Sequence, residues 1–116
     1  MELNNKNFKT INKLYGKENI IILVYASWCG YSLDFLPKWD NFINNKKKNN
    51  KHNLKIFQIE SEIFNTIKNP LFNKINKHFT GYPNLFLVDK QKKVNKFGDS
   101  SYNSRMISNE INKILN

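Results

Sequence analysis

Ile20-Ile21-Ile22-Leu23-Val24-Tyr25-Ala26-Ser27-Trp28-Cys29-Gly30-Tyr31-Ser32 is the stretch on which the fold turns. Its first seven residues form an unbroken β-branched, aliphatic and aromatic run. A strand buried on both faces in the middle of an α/β sheet reads this way. The run is followed by the only cysteine in the chain, Cys29. Beyond it Phe35, Leu36, Trp39, Phe42 and Ile43 fall on one helical stripe. Cys29 therefore stands where a buried strand gives way to a new helix. Free N–H groups at a helix start point toward such an atom, and the helix dipole favours negative charge there. The thiolate is the reactive form of cysteine, so this position suits a nucleophile.

Outward from that junction the pattern alternates. Phe8, Ile11, Leu14 and Tyr15 predict a short amphipathic first helix, ended by Gly16 and Asn19. Pro37 lies inside the helix after Cys29 and predicts a kink. Asn44 to Asn53 reads as the end of that helix plus a loop. Leu54–Glu60 predicts a second strand with Leu54, Ile56 and Ile59 inward. Phe64 and Ile67 suggest one helical turn. Asn69-Pro70 has the form of a helix cap followed by a first-turn proline, with Leu71, Ile75 and Phe79 as the buried stripe. After the turn Thr80-Gly81-Tyr82-Pro83 come a strand at 84–89, a tight connection, and a strand at Val94–Phe97 broken by Gly98. Asn103 or Ser104 then caps a last helix. The order α-β-α-β-α-β-β-α predicts one α/β domain over residues 1–116, a central mixed β-sheet flanked by helices on both faces.

Composition narrows the functional classes. The chain has 116 residues and a net charge of +10. That charge raises nucleic acid as a partner. Yet Arg105 is the only arginine among 19 basic residues, and arginine is the residue suited to bidentate phosphate and base contacts. The lysines are spread along the chain, with clusters at 46–55 and 90–96, and read as a solvated surface. Nucleic acid is thus disfavoured as a partner. One cysteine excludes an internal disulfide. His52 and His78 stand alone, without metal-ligand spacing, so no metal site is expected. Trp39 reads as core. The opening residues are polar, and the longest apolar run is far short of the ~20 residues of a membrane helix. No membrane association is expected, and a cytoplasmic or virion-associated location is favoured. The excess of Asn, Lys and Ile is the residue bias of an AT-rich genome, for which a viral source is one fit.

Taken together, Trp28-Cys29-Gly30 after a buried strand, Pro37 eight residues past the cysteine, Tyr82-Pro83 opening the third strand and Phe97-Gly98 before the last helix resemble the thioredoxin-fold family over nearly the whole chain. Tyr25-Ala26, Trp28 and the Pro37-Lys38-Trp39 spacing are similar to its protein disulfide isomerase branch. The resemblance implies Cys29 as nucleophile and Pro83 as a cis proline beside it. It implies a substrate surface of Trp28, Gly30, Tyr31, Tyr82 and Pro83. Two positions depart from the family pattern. Ser32 occupies the place of the second, resolving cysteine, and Leu23 the place of the buried acid that helps deprotonate it. The losses agree, because a buried carboxylate is costly and has no task without a second thiol.

A Cys-Gly-Tyr-Ser site implies half of dithiol chemistry. Cys29 attacks a disulfide sulfur, and an outside thiol must release the mixed disulfide. Isomerisation, deglutathionylation or covalent capture of a client are the expected activities, and net dithiol reduction is not. Ser32 is expected to donate its hydroxyl to the thiolate. The expected partners are client protein thiols or disulfides, with glutathione as a possible external thiol and no resident cofactor. The alternative is a non-enzymatic binding or structural module with a relic site. A third reading sets Cys29-Gly30-Tyr31-Ser32 beside the Cys-Gly-Phe-Ser of cluster-binding monothiol glutaredoxins. Trp28 and Pro37 argue against it, as does the missing Gly-Gly-x-x-Asp.

Overall fold

The structure is a computed structural model that describes residues 1–116. A five-stranded mixed sheet runs in the order β1-β3-β2-β4-β5. Its strands are β1 (Glu2–Leu3), β2 (Ile20–Tyr25), β3 (Lys55–Glu60), β4 (Asn84–Val88) and β5 (Val94–Phe97). The pairs β1–β3 and β3–β2 are parallel, whereas β2–β4 and β4–β5 are antiparallel. The helices are α1 (Lys9–Leu14), α2 (Gly30–Lys48), α3 (Ser61–Phe64), α4 (Pro70–His78) and α5 (Ser104–Leu115).

β2 is the spine. Side chains alternate across a strand, so Ile20, Ile22 and Val24 enter one core layer and Ile21 and Leu23 the other. All five are fully buried, as a strand paired on both edges and covered on both faces must be. The first layer is closed by Ile11 of α1, Phe64 of α3 and Leu71, Phe72 and Ile75 of α4. The second is closed by Phe35, Trp39 and Phe42 of α2 and Ile107 and Ile111 of α5. Burying such a side chain contributes about 1.5–3 kcal/mol, so the two layers together carry the fold.

Most expected elements are present, with local corrections. β1 was not expected: two residues are too few to show a period. The predicted inward set Leu54, Ile56 and Ile59 mixes two faces. Leu54 and Ile56 pack with the α2/α5 layer, while Phe57 and Ile59 enter the other. α2 runs through Pro37 as one helix of 19 residues. Asn69 caps α4 by accepting the Phe72 N–H at 2.8 Å, and Asn103 caps α5 through the Met106 N–H at 2.9 Å. His52 is half-buried against Asn112 at 3.0 Å rather than simply on the surface.

Trp39 is core, as its spacing suggests, and its indole N–H is satisfied by Gln58 Oε1 at 2.8 Å. Gln58 in turn donates to Glu2 Oε1 at 2.7 Å, which also accepts the Tyr25 hydroxyl at 2.8 Å. Partial burial and the Glu2 carboxylate together push the Tyr25 hydroxyl up to about 12.

Candidate active site

The site forms where β2 ends and α2 begins. The Cys29 N–H donates to Ala26 O at 3.1 Å, which folds residues 26–29 into a tight turn. Cys29 is the N-cap residue of α2, in extended conformation, and no side chain caps this helix. The first N–H groups of the helix have no intrahelical partner and are free to donate to a group brought to this end. Half-buried Cys29 donates its thiol proton toward Tyr82 O at 3.8 Å. Tyr82-Pro83 is a cis peptide, and it leads directly into β4. Asn84 Oδ1 accepts the Thr80 N–H at 2.9 Å and so fixes the turn that presents Tyr82.

Apolar surface surrounds the sulfur. The Trp28 and Tyr82 rings meet edge to face with centroids 5.5 Å apart, and Phe79 packs on Tyr82 at 5.0 Å. Trp28 is nonetheless 68% exposed and Tyr31 69% exposed. Gly30 is exposed, and a Cβ there would meet no atom within 4 Å, so the approach to Cys29 over Gly30 is open. The structure thus brings Trp28 and Tyr82 together beside half-buried Cys29, with Gly30 and Tyr31 exposed in the first turn of α2 and Pro83 following Tyr82 in the cis turn.

Ser32 behaves differently from its expected role. It is fully buried, and its Oγ accepts the Ala26 N–H at 3.1 Å. No hydrogen bond joins it to Cys29. It ties the first turn of α2 to the end of β2, and its own hydroxyl proton is not spent on that bond. Leu23 is fully buried in the layer beneath α2, among apolar neighbours.

A polar relay missed by the sequence reading holds the turn from the β3 side. Glu60 Oε2 accepts the Ser27 N–H at 3.2 Å, the Ser27 hydroxyl at 3.3 Å and the Ser61 hydroxyl at 2.8 Å. Ser61 Oγ accepts the Trp28 indole N–H at 3.2 Å. Glu60 Oε1 caps α3 through the Glu62 N–H at 2.7 Å. Desolvation opposes ionisation of Glu60, but these donors outweigh it and hold its carboxyl below the usual range. Glu60-Ser61 is readable as a helix start. Its link to residues 27 and 28 spans 33 positions and leaves no local signal. No three His, Cys, Asp or Glu side chains gather where they would hold a metal ion.

A mixed sheet with one thiol at a helix start, faced by a cis-proline turn, defines a thioredoxin-fold protein. The thioredoxin family model matches residues 1–113, and the chain belongs to that family. No curated protein is significantly similar in sequence. Among solved structures, the first thioredoxin domain of mouse protein disulfide-isomerase A4 is similar at a TM-score of 0.70 and 21% identity, covering 97% of this chain and 73% of that one. The Trx4 domain of ERdj5 is similar at 0.69 and 17%, covering 99% and 94%. The germline-specific thioredoxin Deadhead of a fruit fly is similar at 0.67 and 11%, covering 97% and 95%.

Proposed function

We infer that this protein is a monothiol thiol–disulfide exchange enzyme of the protein disulfide isomerase kind, acting on client protein disulfides or on glutathione mixed disulfides. The observation that carries this reading is the setting of Cys29: a reachable sulfur on an uncapped helix start, 3.8 Å from the carbonyl of Tyr82. The Cys29 thiolate attacks one sulfur of a substrate disulfide. A Cys29–substrate S–S bond forms, the substrate S–S bond breaks, and the other substrate sulfur leaves as a thiolate. An external thiolate, from glutathione or from the client itself, then attacks the mixed disulfide and returns Cys29 to its starting state. Each exchange keeps three sulfurs and one S–S bond, so it needs no outside oxidant or reductant.

Ser32 makes the second half of the reaction external, because no second thiol lies within the chain. Its buried tie to the Ala26 N–H gives it a positioning role at the base of the helix. Exposed Trp28 and Tyr31 supply apolar contact to an unfolded client, and the Tyr82 backbone beside Pro83 is suited to pairing with an extended client segment.

The test is glutathione-linked release of glutathione from an S-glutathionylated peptide, together with refolding of a scrambled disulfide substrate. Activity in either assay that is lost in Cys29→Ala supports the reading, and mass spectrometry should then find the substrate moiety disulfide-linked to Cys29. Folded protein should also alkylate at Cys29 with iodoacetamide at pH 7 without prior unfolding, as a half-buried, reachable sulfur requires. Equal activity of Cys29→Ala and the parent in every assay would leave a client-binding module with an idle thiol.

A further inference from the structure

At the end of the sheet remote from the thiol, a groove of about 380 Å³ opens between the last turns of α2 and the start of β3. Cys29 immediately precedes Gly30, the first residue of α2, and Lys46 lies 16 residues after Gly30, which places the groove roughly 24 Å along the helix from the site. Its apolar lining is Met1, Ile43 from α2, and Leu54, Ile56 and Phe57 from the β3 side. Ile43, Leu54 and Ile56 belong to or pack against the α2/α5 core layer and Phe57 lies in the other layer, so the groove is an opening onto the core. Its polar lining includes three cations from two elements, Lys46, Lys47 and Lys55. None of them has a carboxylate partner: the one ion pair of the molecule joins Lys113 and Glu110. Lys46 is half-buried, its ammonium sits 5.6 Å above the Phe42 ring, and desolvation pushes it below the usual lysine range.

A lysine cluster at a helix C-terminus is ordinarily a solvated complement to the dipole. Lys55 does not belong to that helix, and the surface between the cations is apolar. We propose that this groove is a binding site for a small amphipathic anion, an apolar body bearing one carboxylate or sulfonate. The apolar lining disfavours a fully hydrated ion such as phosphate, whose water the lysines alone would replace only in part. The unpaired ammonium groups disfavour a neutral or cationic apolar molecule. The volume falls at the small end of ligand pockets, ~300–1,000 Å³, which suits a small molecule held by a few polar groups.

The test uses the full chain and two probes, 8-anilinonaphthalene-1-sulfonate and laurate. The sulfonate dye should bind at one site per chain, and laurate should displace it. Dodecyltrimethylammonium, with a tail one carbon longer and the opposite charge, should not. Lys46→Gln with Lys55→Gln should weaken both probes at least tenfold with the melting temperature unchanged. Lys90→Gln with Lys93→Gln, on the β4–β5 connection, removes the same charge elsewhere and should leave binding within twofold. Absence of saturable dye binding, equal displacement by the cationic amphiphile, or equal weakening in the two double variants would each overturn the proposal. None of these readouts depends on thiol exchange, so the site stands or falls apart from the activity of Cys29.

Discussion

At the scale of single residues, the site depends on a few polar atoms placed where the backbone needs them. Ser32 and Glu60 hold the 26–29 turn from two sides: Ser32 accepts from Ala26, and Glu60 accepts from Ser27. The Glu60 carboxyl is held below its usual range against a desolvation cost by the N–H groups of Glu62 and Ser27 and the hydroxyls of Ser61 and Ser27. An acid with a lowered folded-state pKa contributes stability above its unfolded value, near 4.5, and loses it as pH falls through the folded value. Glu60→Gln should therefore lower stability at pH 7 by about 1 kcal/mol, in the range of a lost helix cap, ~0.5–2 kcal/mol. The difference from the parent should shrink steadily below pH 4.5. Urea unfolding at pH 7, 5 and 3 checks this, and an unchanged gap at pH 3 would show that charge is not what Glu60 contributes. Because Ser61 carries the Trp28 indole, the same substitution should also alter Trp28 emission, a signal a remote surface change would not move.

At the scale of elements, the parts legible in the sequence are those whose signal is local. β2 declares itself by five consecutive buried residues, and α4 by Asn69-Pro70, whose cap bond is present. β1 has only two residues and owes its place to parallel pairing with Gln58 and Ile59, which no nearby pattern encodes. β3 is legible as a strand but its faces are not, because Ile56 and Phe57 are both apolar and only the packing separates them. The thiol, the helix start and the Tyr82-Pro83 turn were readable as motifs, whereas the Glu60 relay required the fold. Gly98 belongs to the same lesson. It ends β5 with φ +71°, and a Cβ there would lie 3.0 Å from the Tyr102 ring that packs against the α2/α5 layer. Gly98→Ala should cost about 1–2 kcal/mol from the left-handed backbone alone. The crowding of Tyr102 adds to that. Denaturant unfolding of the variant at pH 7 is the measurement, and a loss under 0.5 kcal/mol would mean that the β5–α5 connection relaxes to another conformation.

At the scale of the whole molecule, charge is the unbalanced quantity. A net charge of +10 is carried on 116 residues, and the one ion pair, Lys113–Glu110, is 3.8 Å long and mostly solvated. Such a surface pair contributes little. The compact chain has a radius of gyration of 13.1 Å, so its lysines sit nearer to one another than they do in the expanded unfolded chain. Self-repulsion of like charges destabilises the compact state, and added salt screens it with a Debye length that falls from ~30 Å at 0.01 M to ~8 Å at 0.15 M. At low salt the screening length exceeds the radius of the molecule, and at physiological salt it does not. Raising sodium chloride from 10 to about 150 mM should therefore raise the melting temperature by roughly 4 °C, the shift that ~1 kcal/mol produces in a domain of 116 residues. A protein held by attractive surface ion pairs would melt lower under the same change, since salt weakens those instead. The sign of the shift thus separates the two regimes, and a flat or falling melting temperature would mean that attraction between the lysines and this chain's nine acids matches or outweighs the self-repulsion.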